Sequence, residues 1–181
     1  MNENEFWSII DNSIHASNEG NYEKVAFIRQ CLIDMEACQI YGFEEMLRLK
    51  LFECNDFKIM AAARIINGFI SDDSYLYFRC WLISKGRSVF EEALKNPDSL
   101  VKYVEKEEMP DCEDLLYAAT EAYSMNTGKE EDDTFPRATC IQKGLDYDIR
   151  AQTIKGKDWN EEDLADICPN LFKSFRKKKL R

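Results

Sequence analysis

The stretch NGFISDDSYLYFRCWLISKGRSVFEEAL, from Asn67 to Leu94, decides how this chain folds. Asn67-Gly68 reads as a helix stop, because glycine takes the left-handed conformation at a helix end without steric cost. Ser71 then reads as an N-cap. Asp72 and Asp73 fall in the first turn, where carboxylates complement the helix dipole. The helix so opened runs to about Lys85 and stops at Gly86. A shorter helix, Arg87 to Asn96, ends at Pro97. At about 100° per residue, Asp73, Tyr77, Trp81 and Lys85 form one ridge of the longer helix. Tyr75, Phe78 and Leu82 form an apolar ridge opposite, and Asp72 and Arg79, seven apart, share a face. The stretch puts forward Asp72, Asp73, Tyr77, Arg79, Trp81 and Arg87 as candidate ligand- or partner-binding residues. Two arrangements fit them. One is a polar-aromatic groove that holds a ligand. The other is a structural clamp in which both arginines bridge neighbouring helices to carboxylates.

Helical periodicity continues on both sides. Upstream, Phe6, Ile9, Ile10 and Ile14 make one stripe from Glu5 to about Ala16, and Asn18 to Asn21 reads as a break. Val25, Ile28, Leu32 and Met35 predict a helix from Tyr22 to Cys38. Phe43, Met46, Leu47 and Leu51 predict another from about Ile40. Cys54-Asn55-Asp56 interrupts it, and Phe57 to Ile66 resumes with small residues that suit a tightly packed, central helix. Downstream, Asp98 to Glu107 reads as a helical turn or two. Pro110-Asp111 opens a helix carrying Leu115, Leu116, Ala119, Ala122 and Tyr123, which ends near Thr127-Gly128. Thr134 to Lys157 lacks periodicity and reads as a long irregular excursion, with a short strand or turn over Gln142 to Ile149. Asn160 resembles a helix cap leading into Leu164, Ile167, Leu171, Phe172 and Phe175.

The fold class is therefore all-α: a single helical domain over 1–181 of about seven to nine helices. Its core spans about 5–128, its excursion about 129–158, its closing helices about 160–176 and its basic tail 176–181. Hydrophobic residues make up 45% of the 181, enough to argue against global disorder.

Charge and cysteines narrow the function classes. The net charge is −10. Without the five basic residues of the RKKKLR tail, 19 basic residues face 34 acidic ones, so the body is near −15. Such a body repels nucleic acid and anionic membranes and attracts basic partners. The acidic runs Glu105 to Asp114 and Glu130 to Asp133 read either as solvated faces or as polyanion mimics. The seven cysteines are odd in number and contain no Cys-x-x-Cys pair, which argues against a disulfide framework or zinc module. Most of them read as small core residues in a reducing, cytoplasmic compartment. The N-terminus is not a signal peptide, and no apolar run spans a membrane.

The one histidine, His15, lacks a recognisable nucleophile motif beside it and reads as a structural or surface residue. Phosphate-binding glycine loops are absent, and so are the Glu-x-x-His pairs of di-metal bundles. No cofactor is implied. An all-carboxylate metal site would have to join Asp72 and Asp73 to Glu91 or Glu121.

The longer motif NGFISDDSYLYFRCWLISKGRSVFEEALKNPDSL resembles the signature of a mainly bacterial family, the domain of unknown function 4240. Three further pieces carry the likeness. They are Phe6-Trp7 with Ile10-Asp11, then Leu116 to Ala119 with Ala122-Tyr123, then Asp163-Leu164 with Pro169, Leu171 and Phe175. The Thr134 to Lys157 region departs from the family's spacing. The resemblance implies no established activity, only a likeness to a domain of molybdate-metabolism-regulator-like proteins. Its recurring residues correspond to Asp72, Asp73, Tyr77, Arg79, Trp81, Gly86 and Arg87. The expectation is a cytosolic, non-enzymatic binding or regulatory module, one form of which is an immunity-type protein whose acidic body caps a basic toxin. The alternative is an enzyme with a carboxylate–arginine site, optionally metal-assisted.

Overall fold

A computed structural model describes residues 1–16, 20–106, 108–148 and 153–175. The chain is all-α. Ten α-helices and three 3-10 turns occur among the described residues, more than the seven to nine expected. The helices are α1 (Glu3–Ala16), α2 (Asn21–Ile33), α3 (Ala37–Glu53), α4 (Phe57–Asn67), α5 (Asp72–Ser84), α6 (Arg87–Lys95), α7 (Ala118–Thr127), α8 (Pro136–Gln142), α9 (Leu164–Ile167) and α10 (Pro169–Phe175).

The stretch quoted first is the centre of the molecule. Every residue from Phe78 to Ser84 is buried, about two full turns. Only a helix with neighbours on all sides buries that much. The neighbours of α5 are α1, α2, α3, α4 and α6, with the 3-10 turn Glu113–Leu116. Its boundaries follow from the capping chemistry. Ser71 accepts from Ser74 N–H while Ser74 bonds back to Ser71 N–H, closing a capping box. Gly68 ends α4 at φ 77°. α4 is tightly packed through Ala61, Ala62 and Ala63, but it sits beside α5, against α9 and α10, and not at the centre.

Several boundaries differ from the periodicity reading. The helix expected to run from Tyr22 to Cys38 ends at Ile33, and the break falls at 34–36. Glu36 and Gln39 form a capping box there that starts α3. The helix expected from Pro110 begins as the 3-10 turn Glu113–Leu116 and becomes α-helical only at Ala118. The excursion contains α8, started by Pro136 at its first position, where the missing N–H costs nothing. Gln142 to Asp148 contains a turn and no strand; Ile149 lies outside the described residues, as do 18–19 of the first break and the basic tail.

Lys155, near the end of the excursion, and Trp159 just beyond it are tied to the α3–α4 corner. Phe57 N–H donates to Lys155 O at 2.9 Å and Lys155 N–H to Asn55 O at 3.0 Å. Trp159 Nε1 donates to Phe57 O at 2.7 Å. α10 is anchored further away, on Asp98 of the PDSL motif. That buried carboxylate accepts from Asn170 N–H at 3.2 Å, Asn170 Nδ2 at 2.6 Å and Leu171 N–H at 2.9 Å. It satisfies the orphan donors of the α10 N-terminus from 72 residues away.

Candidate functional site

The six candidate residues do not gather in one place. Arg79 is wholly buried. Its Nη1 donates to Leu51 O at 3.1 Å, in the last turn of α3, and its guanidinium lies 4.7 Å from the centroid of the Tyr75 ring. The cation therefore meets the negative end of the α3 dipole and an aromatic face. No carboxylate pairs with it among the described residues. Asp72, seven residues earlier, shares its azimuth but lies about 10 Å nearer the helix start, on an exposed turn.

Arg87 lies on the surface beside α1. Its Nε bonds Glu91 at 2.6 Å and its Nη1 donates to Asn4 Oδ1 at 2.9 Å. Its backbone N–H donates to Asp11 Oδ1 at 3.0 Å, so Asp11 caps α6 from α1. Neither arginine meets Asp72 or Asp73, and neither guanidinium bridges to a carboxylate of a neighbouring helix among the described residues: that of Arg79 reaches α3 through a carbonyl and that of Arg87 reaches α1 through Asn4, and the four do not converge on one cleft.

Trp81 is also buried. Its Nε1 donates to Glu108 Oε1 at 2.7 Å, and Lys85 Nζ reaches the same oxygen at 3.0 Å. Burial opposes ionisation of Glu108, but these two bonds, the Glu105 N–H and the Lys85 charge together more than offset it and hold its carboxyl below the ordinary value. The contact lays the 108–112 segment along the Asp73–Tyr77–Trp81–Lys85 ridge, and Cys112 N–H donates to Tyr77 O at 3.3 Å.

That segment and the start of α5 enclose a groove of about 250 Å³, lined by Asn67, Phe69, Ser71, Asp73, Ser74, Tyr77, Met109, Pro110 and Asp111. Two of the six candidates, Asp73 and Tyr77, are among these. Phe69 is 50% exposed and Met109 63% exposed, so the groove offers apolar surface to solvent. None of its nine lining residues is basic. Burial pushes the Tyr77 hydroxyl up to about 12, and the Glu113 carboxylate adds to the effect, so Tyr77 is neutral and its ring stays an electron-rich face.

The carboxylates suggested as further metal ligands are engaged elsewhere. Glu91 holds Arg87, and Glu121 holds Arg29. Among the described residues, no three His, Cys, Asp or Glu side chains gather as metal ligands. His15 is exposed in the last turn of α1.

Two features escaped the sequence reading. One is a buried polar cluster. Glu44 and Arg48 pair at 2.6 Å with almost no exposure, and Arg48 also donates to Leu145 O at 2.6 Å and lies 4.4 Å from the Tyr147 ring. An i,i+4 Glu–Arg pair ordinarily marks a solvent face; here the chain after α8 covers it. The other is a cleft of about 560 Å³ between α1, the end of α2 and the start of α3. It contains none of the six candidates, and nothing but its shape reveals it.

A family model described as protein of unknown function (DUF4240) matches residues 1–125. No curated protein and no solved structure matches. The match contains the groove and the buried Glu44–Arg48 pair, and ends before the segment that covers that pair.

Proposed function

Because this chain belongs to the DUF4240 family of proteins of unknown function, whose description assigns no chemistry, we propose its role from the groove: a non-enzymatic module that binds a basic, partly apolar segment of a partner protein. One observation carries this reading. Asp73, Asp111, Tyr77, Phe69 and Met109 line one groove in which none of the described lining residues is a cation. A lysine or arginine of the partner can place its charge between the carboxylates and its stem along Met109 and the Tyr77 face, where a cation–π contact adds about 0.5–2 kcal/mol.

Size supports a side chain over a cofactor. Small-molecule sites occupy about 300–1,000 Å³, and this groove is smaller. The acidic surround raises the association rate of a cationic partner and excludes polyanions. A basic toxin held by an immunity-type protein in the cytoplasm is one partner of this chemistry. No specific observation favours the enzyme alternative.

The test is capture from cytosol on immobilised wild type, Asp73→Lys and Met109→Ala. The expected partner is basic, elutes as salt rises from about 0.1 to 1 M, where the Debye length falls from about 10 to 3 Å, and is lost on both variants. A partner retained equally by the variants, or indifferent to salt, rules the groove out.

A further inference from the structure

Given a groove beside α5 that takes basic, partly apolar segments, as proposed above, we infer that its resident occupant is this chain's own tail, Arg176 to Arg181. A partner binds by displacing it. The tail reads RKKKLR and contains the one run of four consecutive cations in the sequence. Its single apolar residue, Leu180, stands between Lys179 and Arg181.

The groove presents the complement of that pattern. Asp73 and Asp111 line it, and none of its described lining residues is basic. Asp111 uses Oδ1 to accept from Glu113 N–H at 3.0 Å, and no described residue bonds its Oδ2. Asp72 stands beside Asp73 on the same exposed first turn. Phe69 and Met109 offer exposed apolar surface between the acids, where a leucine loses contact with water. An acidic patch alone attracts any cation. Acids interleaved with apolar surface favour a segment that carries both.

Reach is sufficient. The tail follows α10, and α10 packs against α4. α4 has 11 residues and is about 16 Å long. Its last residue, Asn67, lines the groove. Six extended residues span up to about 20 Å. The tether also makes a weak contact effective. A short tether gives an effective concentration of about 1 mM. A tail with an intrinsic Kd of about 0.1 mM then fills roughly nine-tenths of the grooves, and the apparent affinity of an outside ligand falls about tenfold.

The probe is a fluorescein-labelled hexapeptide of the tail sequence, titrated with full-length chains and followed by anisotropy at about 0.1 M salt, where the Debye length is about 10 Å. One chain is wild type. A second neutralises the tail by Lys177→Gln, Lys178→Gln and Lys179→Gln. A third carries Lys95→Gln, Lys129→Gln and Lys157→Gln, three exposed changes of equal charge elsewhere. The tail-neutral chain is expected to bind the peptide at least about tenfold more tightly than either of the others. Adding Asp73→Lys to it should abolish binding. Adding Asp166→Lys, an exposed change on α9 beside α10, should not.

Peptide bound equally by wild type and tail-neutral chain, and lost on Asp73→Lys, leaves the groove reading standing and overturns occupancy by the tail. A gain matched by the third chain overturns it too, because net charge then explains the effect. Salt-sensitive self-association of the wild type in sedimentation, absent from the tail-neutral chain, puts the tail in a second copy and overturns the intramolecular contact. Peptide bound by no chain, or still bound after Asp73→Lys, removes the groove reading itself and the inference with it.

Discussion

Arg79 donates from Nη1 to the carbonyl of Leu51, 28 residues earlier, at 3.1 Å, and this bond ties the central helix to the end of α3. The guanidinium is fully buried with Tyr75 against its face, and its Nε and Nη2 have no hydrogen-bond partner among the described residues. It is a helix cap and a piece of packing. Arg79→Ala is expected to lower unfolding free energy by about 2–5 kcal/mol, the range for large-to-small core changes. Arg79→Met is expected to cost less. It fills the space and removes a buried charge, leaving Leu51 O one donor short. Urea unfolding of both variants measures the order.

Gly86 has φ 90°, and a Cβ there would lie 2.6 Å from Asp11 Oδ1 and 2.8 Å from Ile14 Cδ1. Gly86→Ala therefore meets backbone strain and displaces the carboxylate that caps α6. The expected cost is at least about 1–3 kcal/mol. Asp11→Ala alone is expected to cost about 0.5–2 kcal/mol. The two changes share one contact, so the double variant should fall short of their sum.

Asp98 holds the start of α10 through three hydrogen bonds, inside a buried setting. Asp98→Ala leaves the amides of Asn170 and Leu171 without an acceptor, at about 1–3 kcal/mol. The loss should be local. Amide exchange should quicken across 169–175 and stay unchanged in α5.

Burial raises the Glu44 carboxyl above its ordinary value of 4.5, and Arg48 and then Arg137 offset this only partly. Above 4.5 the folded state therefore holds the proton more tightly than the unfolded state does. Stability from this group is fully present below 4.5 and declines as pH rises through the higher, folded value. Urea unfolding from pH 4 to 8 should show that decline in the wild type and not in Glu44→Gln. At neutral pH Glu44→Gln, which mimics the protonated carboxyl, should be no less stable than the wild type, because the fold disfavours the ionised form.

Local chemistry was legible in the sequence. Ser71, Gly68 and Gly128 marked helix ends because capping depends on residues a few positions apart. The all-α class followed from the same signals. What Arg79 and Arg87 bind was not legible, since Leu51 and Asn4 lie 28 and 83 residues away. The 34–36 break was hidden because Met35 continues the apolar spacing of α2 into the turn. The burial of Glu44 and Arg48 depends on Leu145 and Tyr147, about a hundred residues later, and no local pattern encodes that. Of the candidate site, the sequence supplied Asp73 and Tyr77. Phe69 and Met109 come from the two flanking loops, whose meeting depends on the Trp81–Glu108 contact.

Scaffold and site are separated by measuring Arg79→Ala and Asp73→Lys side by side, in urea unfolding and in partner capture. Arg79→Ala is predicted to lose about 2–5 kcal/mol of stability. Asp73→Lys, at an exposed position, is predicted to change stability by no more than about 0.5–1 kcal/mol while abolishing salt-sensitive capture of the basic partner. An Arg79→Ala chain as stable as wild type, or an Asp73→Lys chain that captures the partner undiminished, contradicts this division.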